Sequence, residues 1–407
     1  MSARISWIWL AERQNIGAVT VAGLLEAFGS ADAVFAADRR TLTTCACVLS
    51  KRQVDALCDK DTSRAGLIIE NCAKLGVSIL TLDDAGYPDR LRAIADPPPV
   101  LYVRGSLPDL DVLPGIAVVG TRSCTAYGEE TAQAIGSALA ETGFVTVSGM
   151  AKGIDGMAQR GALRSGGLTV AVLAGGVDIC YPQSNLALMG DILLRGALVS
   201  EHPPGTEHRA EFFPPRNRII SGLTVATVVV EASSMRSGAI ITAHHALEQG
   251  RDVYAVPGAL NAKQSAGCLQ LIEQGEAALL ASPASLVRAY GGLLPRQPDQ
   301  ARVRQAFLRQ TGMKPQPAVK NVWDDIQKRE ERGRTRREAP KAETPKPLPD
   351  YLSAEERQIA ALVQQGASSL AEIIERCDLA AARVMAIITM LEMDGVLHRE
   401  RGKLALF

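Results

Sequence analysis

Apolar positions in the middle of this chain come in short unbroken runs, each closed by small residues and followed by a helical stretch. Ile116–Val119 has no polar break, as expected of a strand buried on both faces, and it stops at Gly120-Thr121-Arg122. A helical pattern follows through Glu129–Glu141 to Gly143. Phe144–Val147 ends at Ser148-Gly149, with Lys152-Gly153 just beyond, and a second helix runs from about Ile154 to Leu163. Leu168–Leu173 closes on Gly175-Gly176. The same grammar returns where Val225–Val230 ends at Glu231-Ala232-Ser233, Gly238 opens a helix through Leu247, and Val253–Val256 ends at Pro257-Gly258. Five such strands predict an α/β fold with a doubly wound parallel sheet, whose ligands bind at the carboxyl ends of the strands.

The two ends of the chain read differently. Residues 1–85 carry short amphipathic helices, among them Val19–Phe28 with a Gly29 stop and Ser63–Leu75 with a Gly76 stop. Residues 10–29 resemble a helix-hairpin-helix or sterile-alpha-motif bundle, with a plain helical cap as the alternative. From Arg296 to Asp350 the chain holds 14 Lys+Arg against 8 Asp+Glu and repeated prolines at 315, 317, 340, 345, 347 and 349, so it cannot bury enough surface to order itself. Ser353-x-x-Glu356 and Ser369-x-x-Glu372 are capping boxes, a third helix spans about Ala380–Asp394, and Val396–Arg399 with Lys403–Phe407 forms a hairpin. Three helices and a hairpin predict a winged helix. The expected organisation is a helical domain over 1–85, a Rossmann-like core over 86–294, a linker over 295–350 and a winged helix over 351–407. Six Lys+Arg against eight Asp+Glu in the last part favour protein interaction or weak DNA contact over duplex reading.

Composition narrows the function. The 407 residues balance 44 Lys+Arg with 44 Asp+Glu, so any basic site is local rather than a property of the whole surface. No apolar run approaches the roughly 20 residues that span a bilayer, and the start is a poor signal peptide. Eight scattered cysteines without a CxxC pair, and five histidines, give no support to a metal site or disulfide framework; a reducing cytoplasm is the expected home. The first glycine loop is not GxGxxG, and no GxxxxGK[ST] occurs, so neither an NAD site nor a P-loop is expected, and no cofactor is.

The candidate chemistry lies at the crevice. Gly120, Thr121, Ser148, Gly149 and Gly153 let backbone N–H groups approach an anion, and Arg122 and Lys152 supply charge beside them. Arg216, Asn217 and Arg218 form a second group, suited to phosphate oxygens and a base edge, and Phe212 and Phe213 offer stacking surfaces. On this reading Arg122 neutralises a phosphate whose other oxygens face the amides of Gly120 and Ser148–Gly149, with Arg218 on the opposite lip. Against it, arginines near acids usually pair, here with Glu201, Glu211 or Glu231, and Lys152 is equally a solvated loop charge. Asp155 reads as an N-cap, His244 and His245 as packing residues, and Cys124 lacks the base a nucleophile needs.

These motifs resemble the DNA-processing protein A family (DprA, also called Smf). The resemblance rests on Val118-Val119-Gly120-Thr121-Arg122 with Tyr127-Gly128, Ser148–Asp155, Tyr181-Pro182, Ser200–Gly205, Phe213–Gly222, Ser237–Ala243 and Val256-Pro257-Gly258. Gln159 stands where a His commonly follows the Gly-Ile-Asp motif, and Leu269 replaces the usual Asn before Leu271-Ile272. The family implies an extended Rossmann-like core that dimerises, binds single-stranded DNA without catalysis and loads the recombinase RecA in natural transformation. A nucleotide-processing enzyme of phosphoribohydrolase type is the alternative on a related core. It needs a Pro-Gly-Gly-x-Gly-Thr run before a catalytic Glu, which the nearest stretch, Glu231–Gly238, does not contain.

Overall fold

The computed structural model describes residues 3–295, 349, 351–367, 370–377, 379, 381–400 and 403–406. They fall into two compact units, one within Met1–Pro315 and one within Gln316–Phe407. The expected linker over 295–350 lies almost wholly outside the described residues.

The first unit opens with six helices: α1 (Ala3–Ala11), α2 (Ala18–Phe28), α3 (Ala31–Ala36), α4 (Arg39–Thr44), α5 (Lys51–Cys58) and α6 (Ser63–Leu75). Gly29 and Gly76 end α2 and α6 in the left-handed conformation, as the sequence predicts. The chain then enters the sheet at β1 (Val77–Thr81), passes the short α7 (Asp89–Arg92), and returns antiparallel as β2 (Val100–Gly105). A boundary near residue 85 therefore does not separate two cores. Trp7, Leu24 and Leu57 from the helices share one apolar cluster with Ile79, Tyr102, Ala171 and Leu198 from the sheet.

Seven parallel strands follow: β3 (Gly115–Val119), β4 (Val145–Ser148), β5 (Thr169–Val172), β6 (Gly196–Ser200), β7 (Ala226–Val229), β8 (Asp252–Ala255) and β9 (Ala278–Leu279). The sheet order is β1-β2-β6-β5-β4-β3-β7-β8-β9, nine strands where five are legible as apolar runs. Two of the additional strands, β1 and β2, pair antiparallel at one edge. Between the strands run α8 (Ala126–Thr142), α9 (Ile154–Arg164), α10 (Leu186–Arg195), α11 (Phe213–Gly222), α12 (Gly238–Glu248) and α13 (Ala266–Glu273), with α14 (Ala284–Tyr290) after β9.

Strand β3 shows how the layers form. Ile116 and Val118 point to the cluster with Ile135 and Leu139 of α8 and Ile154 of α9. Ala117 and Val119 point to the opposite cluster, with Ile219 and Ile220 of α11 and Ile240 of α12. Each fully buried Val or Ile contributes about 1.5–3 kcal/mol, which fixes the register of a strand covered on both faces. The order reverses at β3, with β4 on one side and β7 on the other, so the crevice opens at their carboxyl ends.

The second unit is the expected winged helix: α15 (Ala354–Gln364), α16 (Leu370–Arg376), α17 (Ala381–Met393) and a hairpin of β10 (Leu397–Glu400) with β11 (Lys403–Leu406). The Ser353–Glu356 capping box is present in both directions. The second predicted box begins at Ser369, outside the described residues. Arg383 on α17 is held by Glu355 at 2.8 Å, which answers that helix's one basic residue in the sequence reading with a local acid.

Candidate nucleic-acid interface

Two adjoining cavities lie at the switch point. The first, of about 320 Å³, is lined by Gly120, Thr121, Arg122, Asp155, Phe213, Arg216, Asn217 and the start of α12 at Ser237–Ala239. The second, of about 200 Å³, is lined by Ser123, Gly149, Lys152, Tyr181 and His208. Arg122, Ala151, Phe213 and Arg216 belong to both, so these side chains form the ridge between them.

Arg122 is exposed and makes no ion pair among the described residues; its guanidinium lies 5.0 Å from the Phe213 ring centre. Phe213 continues into a small aromatic group, 5.7 Å from Tyr181, which in turn stacks on His208 at 5.2 Å. A free cation above an aromatic face, beside the exposed Tyr181 ring and the half-buried His208, suits a phosphate with its attached base. Tyr181 and His208 were not legible as site residues. They come from separate loops, and only the fold brings them to Phe213.

Arg216 is buried, 5% exposed, and is not a free phosphate clamp. It donates to the carbonyls of Gly149 at 3.2 Å and Val172, and its Nε donates to Asn217 Oδ1 at 3.2 Å. Burial pushes its pKa down to about 10, against the pull of Asp155, so it stays charged at neutral pH. Asn217 also donates through Nδ2 to the Gly238 carbonyl at 3.1 Å, so both ends of its amide are engaged rather than open to a base edge.

Arg218 departs furthest from its expected role. It lines neither cavity; its side chain is 6% exposed and pairs with Glu201 at 2.8 Å and Asp96 at 2.9 Å. Burial works against its charge, but the two carboxylates outweigh that and raise its pKa. The competing reading of arginines paired with acids holds at this position. Ser148 is likewise internal, its hydroxyl donating to the Val118 carbonyl at 2.6 Å. Gly153 lines neither of these cavities, yet it must be glycine: at φ of 81° a Cβ would fall 2.4 Å from the Thr121 carbonyl oxygen. Lys152 is exposed at the lip of the second cavity.

The loop amides also differ from expectation. Gly149 N–H donates to Asp155 Oδ2 at 3.1 Å, and Thr121 N–H donates to the Glu231 carbonyl at 2.8 Å. Asp155 is not the N-cap of α9, a position Gly153 holds; it sits in the first turn and fastens the preceding loop. Asn185 adds to that fastening, donating to the carbonyls of Met150 and Ala151. Gln159 is fully buried and donates to Thr169 Oγ1 and the Val170 carbonyl, so its departure from the family pattern changes core packing rather than a cavity wall. Leu269 lines neither cavity. His244 faces Glu276 at 3.2 Å, and burial pushes the Cys124 thiol up to about 11, out of the nucleophile range.

Comparison with known proteins settles the family. The family model described as DNA recombination-mediator protein A matches residues 78–291, more than half of the chain. The chain belongs to that family. A second model, the DprA winged helix domain, matches residues 341–403. Among relatives, Protein Smf of Synechocystis is 36% identical over 326 residues, covering 79% of this chain and 78% of that protein. DNA processing protein DprA of Bacillus subtilis is 42% identical over 204 residues, 50% of this chain and 68% of that one. The structure of DNA processing protein A from Streptococcus pneumoniae aligns with a TM-score of 0.60 at 31% identity, covering 70% of this chain and 97% of that one. A DprA-family chain of this architecture has a DNA-processing, recombination-mediator role. Among the described residues no helix is long and apolar enough to cross a membrane.

Proposed function

We propose that this chain binds single-stranded DNA along the crevice as a homodimer, shields incoming strands and loads RecA onto them during natural transformation. The observation that carries the DNA reading is Arg122, a guanidinium without an ion-pair partner among the described residues, held over Phe213 beside Tyr181 and His208. Phosphate goes to Arg122 and Lys152, and bases go to the rings, an arrangement that binds single strands with little sequence preference. Among the described residues no helix at this crevice presents a basic groove-reading face. The dimer and the transfer to RecA are the part of this reading that the family resemblance implies. The nucleotide-hydrolase alternative asks for a Pro-Gly-Gly-x-Gly-Thr run before its glutamate, which Glu231–Gly238 does not contain, and both Glu231 carboxylate oxygens are engaged by Thr125.

The test is a fluorescence-anisotropy titration of labelled oligo-dT against duplex of the same length at physiological salt. Single strands bind far more tightly; comparable duplex affinity overturns the reading. Sedimentation reports the dimer, and RecA ATPase on DNA coated with single-strand-binding protein reports loading.

A further inference from the structure

In a doubly wound sheet, a bound phosphate ordinarily rests on the amides at the switch point, where the loop after the first strand opens a helix. Here the chain places its own carboxylates against both sets of amides. At the start of α8, Glu231 Oε2 accepts from the Thr125 N–H at 2.9 Å and Oε1 from the Thr125 hydroxyl at 2.5 Å. Gly128 in the first turn leaves room for it, since a Cβ there would fall 2.3 Å from Oε2. Ahead of α9, Asp155 accepts from Gly149 N–H at 3.1 Å. The amides of Ala151 and Gly120 and the Arg216 guanidinium also favour its ionised form. Arg216 and Asp155 converge over Gly149, where a Cβ would lie 2.7 Å from the arginine Nη2 and 2.8 Å from Asp155 Oδ2. Both carboxylates are buried, 6% exposed for Asp155 and 2% for Glu231, and these neighbours are donors or cations.

We propose that Asp155 and Glu231 are resident anions that fill the phosphate positions of this sheet. The crevice therefore refuses free phosphate and mononucleotides and takes a DNA strand only along its outer lip. This rests on the crevice being the DNA site and adds what that site excludes. It also gives a polymer-binding protein a way to avoid competition from phosphate and free nucleotides. A mononucleotide offers one phosphate and one base, and the phosphate position is taken. A strand adds further contacts at Arg122, Lys152 and the rings. Burial pushes the Asp155 carboxyl upward, and the Arg216 charge and the loop amides offset this in part.

The experiment compares the full-length protein with Asp155→Ala, Asp155→Asn and Glu231→Gln. Melting temperature is measured in sodium phosphate and sodium acetate against sodium chloride at equal ionic strength. Binding of dAMP and oligo-dT is measured by calorimetry and anisotropy. The wild type shows no phosphate-specific shift and no dAMP binding at millimolar concentrations. In Asp155→Ala the uncovered amides and Arg216 accept an external anion, so phosphate and acetate raise the melting temperature by several degrees, and dAMP binds about ten- to a hundredfold more tightly than to the wild type. Asp155→Asn and Glu231→Gln keep the shape without the charge and give smaller gains in the same direction. A folded Asp155→Ala with no phosphate-specific shift overturns the proposal. If Asp155→Ala does not fold, the isosteric variants and the wild type decide it: no gain in either variant, or dAMP binding to the wild type that displaces oligo-dT, overturns it. Failure of the wild type to bind oligo-dT overturns the DNA reading, while the phosphate shifts still report on the resident anions.

Discussion

Arg122 and Arg218 have the same side chain and opposite fates, and the difference lies in what each can reach. Arg122 leaves β3 on an exposed loop and meets only a ring; Arg218 lies inside α11 between two acids. A charge-assisted contact to phosphate contributes roughly 1.5–3 kcal/mol, so Arg122→Ala weakens oligo-dT binding about ten- to a hundredfold. Its melting temperature stays at the wild-type value; a fall in stability with unchanged DNA affinity would contradict this. Arg218→Ala does the reverse. It strands Glu201 and Asp96, and since those carboxylates are partly exposed the loss is about 3 kcal/mol, at the low end for a broken buried pair, read by urea denaturation. Arg216 and Arg218 are visible in the sequence as one basic group with Asn217. Residues two apart on a helix point to different sides, and this is why the group divides. The acids that claim Arg218 were harder to foresee: Asp96 lies 122 residues away and meets it only in the folded chain.

The loop from β6 to α11 gathers the second half of the site. It carries His202 against Phe212 at 4.2 Å and His208 against Tyr181. Burial pushes both imidazoles below their ordinary value of 6.5, with the Arg216 charge adding to the effect at His208. The unfolded chain therefore binds protons that the folded loop refuses, and stability falls as pH drops through the unfolded value near 6.5. Between about pH 7 and pH 5 the melting temperature declines, and His208→Phe, which keeps a ring on Tyr181, flattens part of that slope. An unchanged slope in that variant would place the proton uptake elsewhere. At this scale the strands and helices flanked by glycine are the legible ones. Strand β6, Gly196–Ser200, escapes because it directly follows α10 without a separating polar turn, and β1 escapes because it lies within residues 1–85, read as helical, while β2 lies ahead of the first run read as a strand. The aromatic group escapes for the same reason as the ion pairs, since its members are contributed by different loops.

Across the whole chain, zero net charge means that affinity for DNA depends on the few cations at the crevice rather than on a general field. Arg122, Lys152 and Arg216 are the cations that line the two cavities. Arg216 is committed to its internal partners, so if Arg122 and Lys152 each neutralise one phosphate, the logarithm of the binding constant falls with the logarithm of salt at a slope of about −1.4 for single strands. A much steeper slope for the full chain would mean that the basic stretch over 296–350, with its 14 Lys+Arg, also holds DNA. Shortening the chain separates the two contributions. Leu294 packs into the cluster with Val287 and Leu286, so the cut must fall after it. A chain ending at residue 295 keeps every strand of the sheet and both cavities, and it melts as the full protein does, whereas one ending at Tyr290 loses Leu294 and melts lower. If the slope and affinity of the 1–295 chain equal those of the full protein, the crevice alone carries the DNA. If the slope drops while the fold survives, residues beyond 295 supply a second contact with DNA.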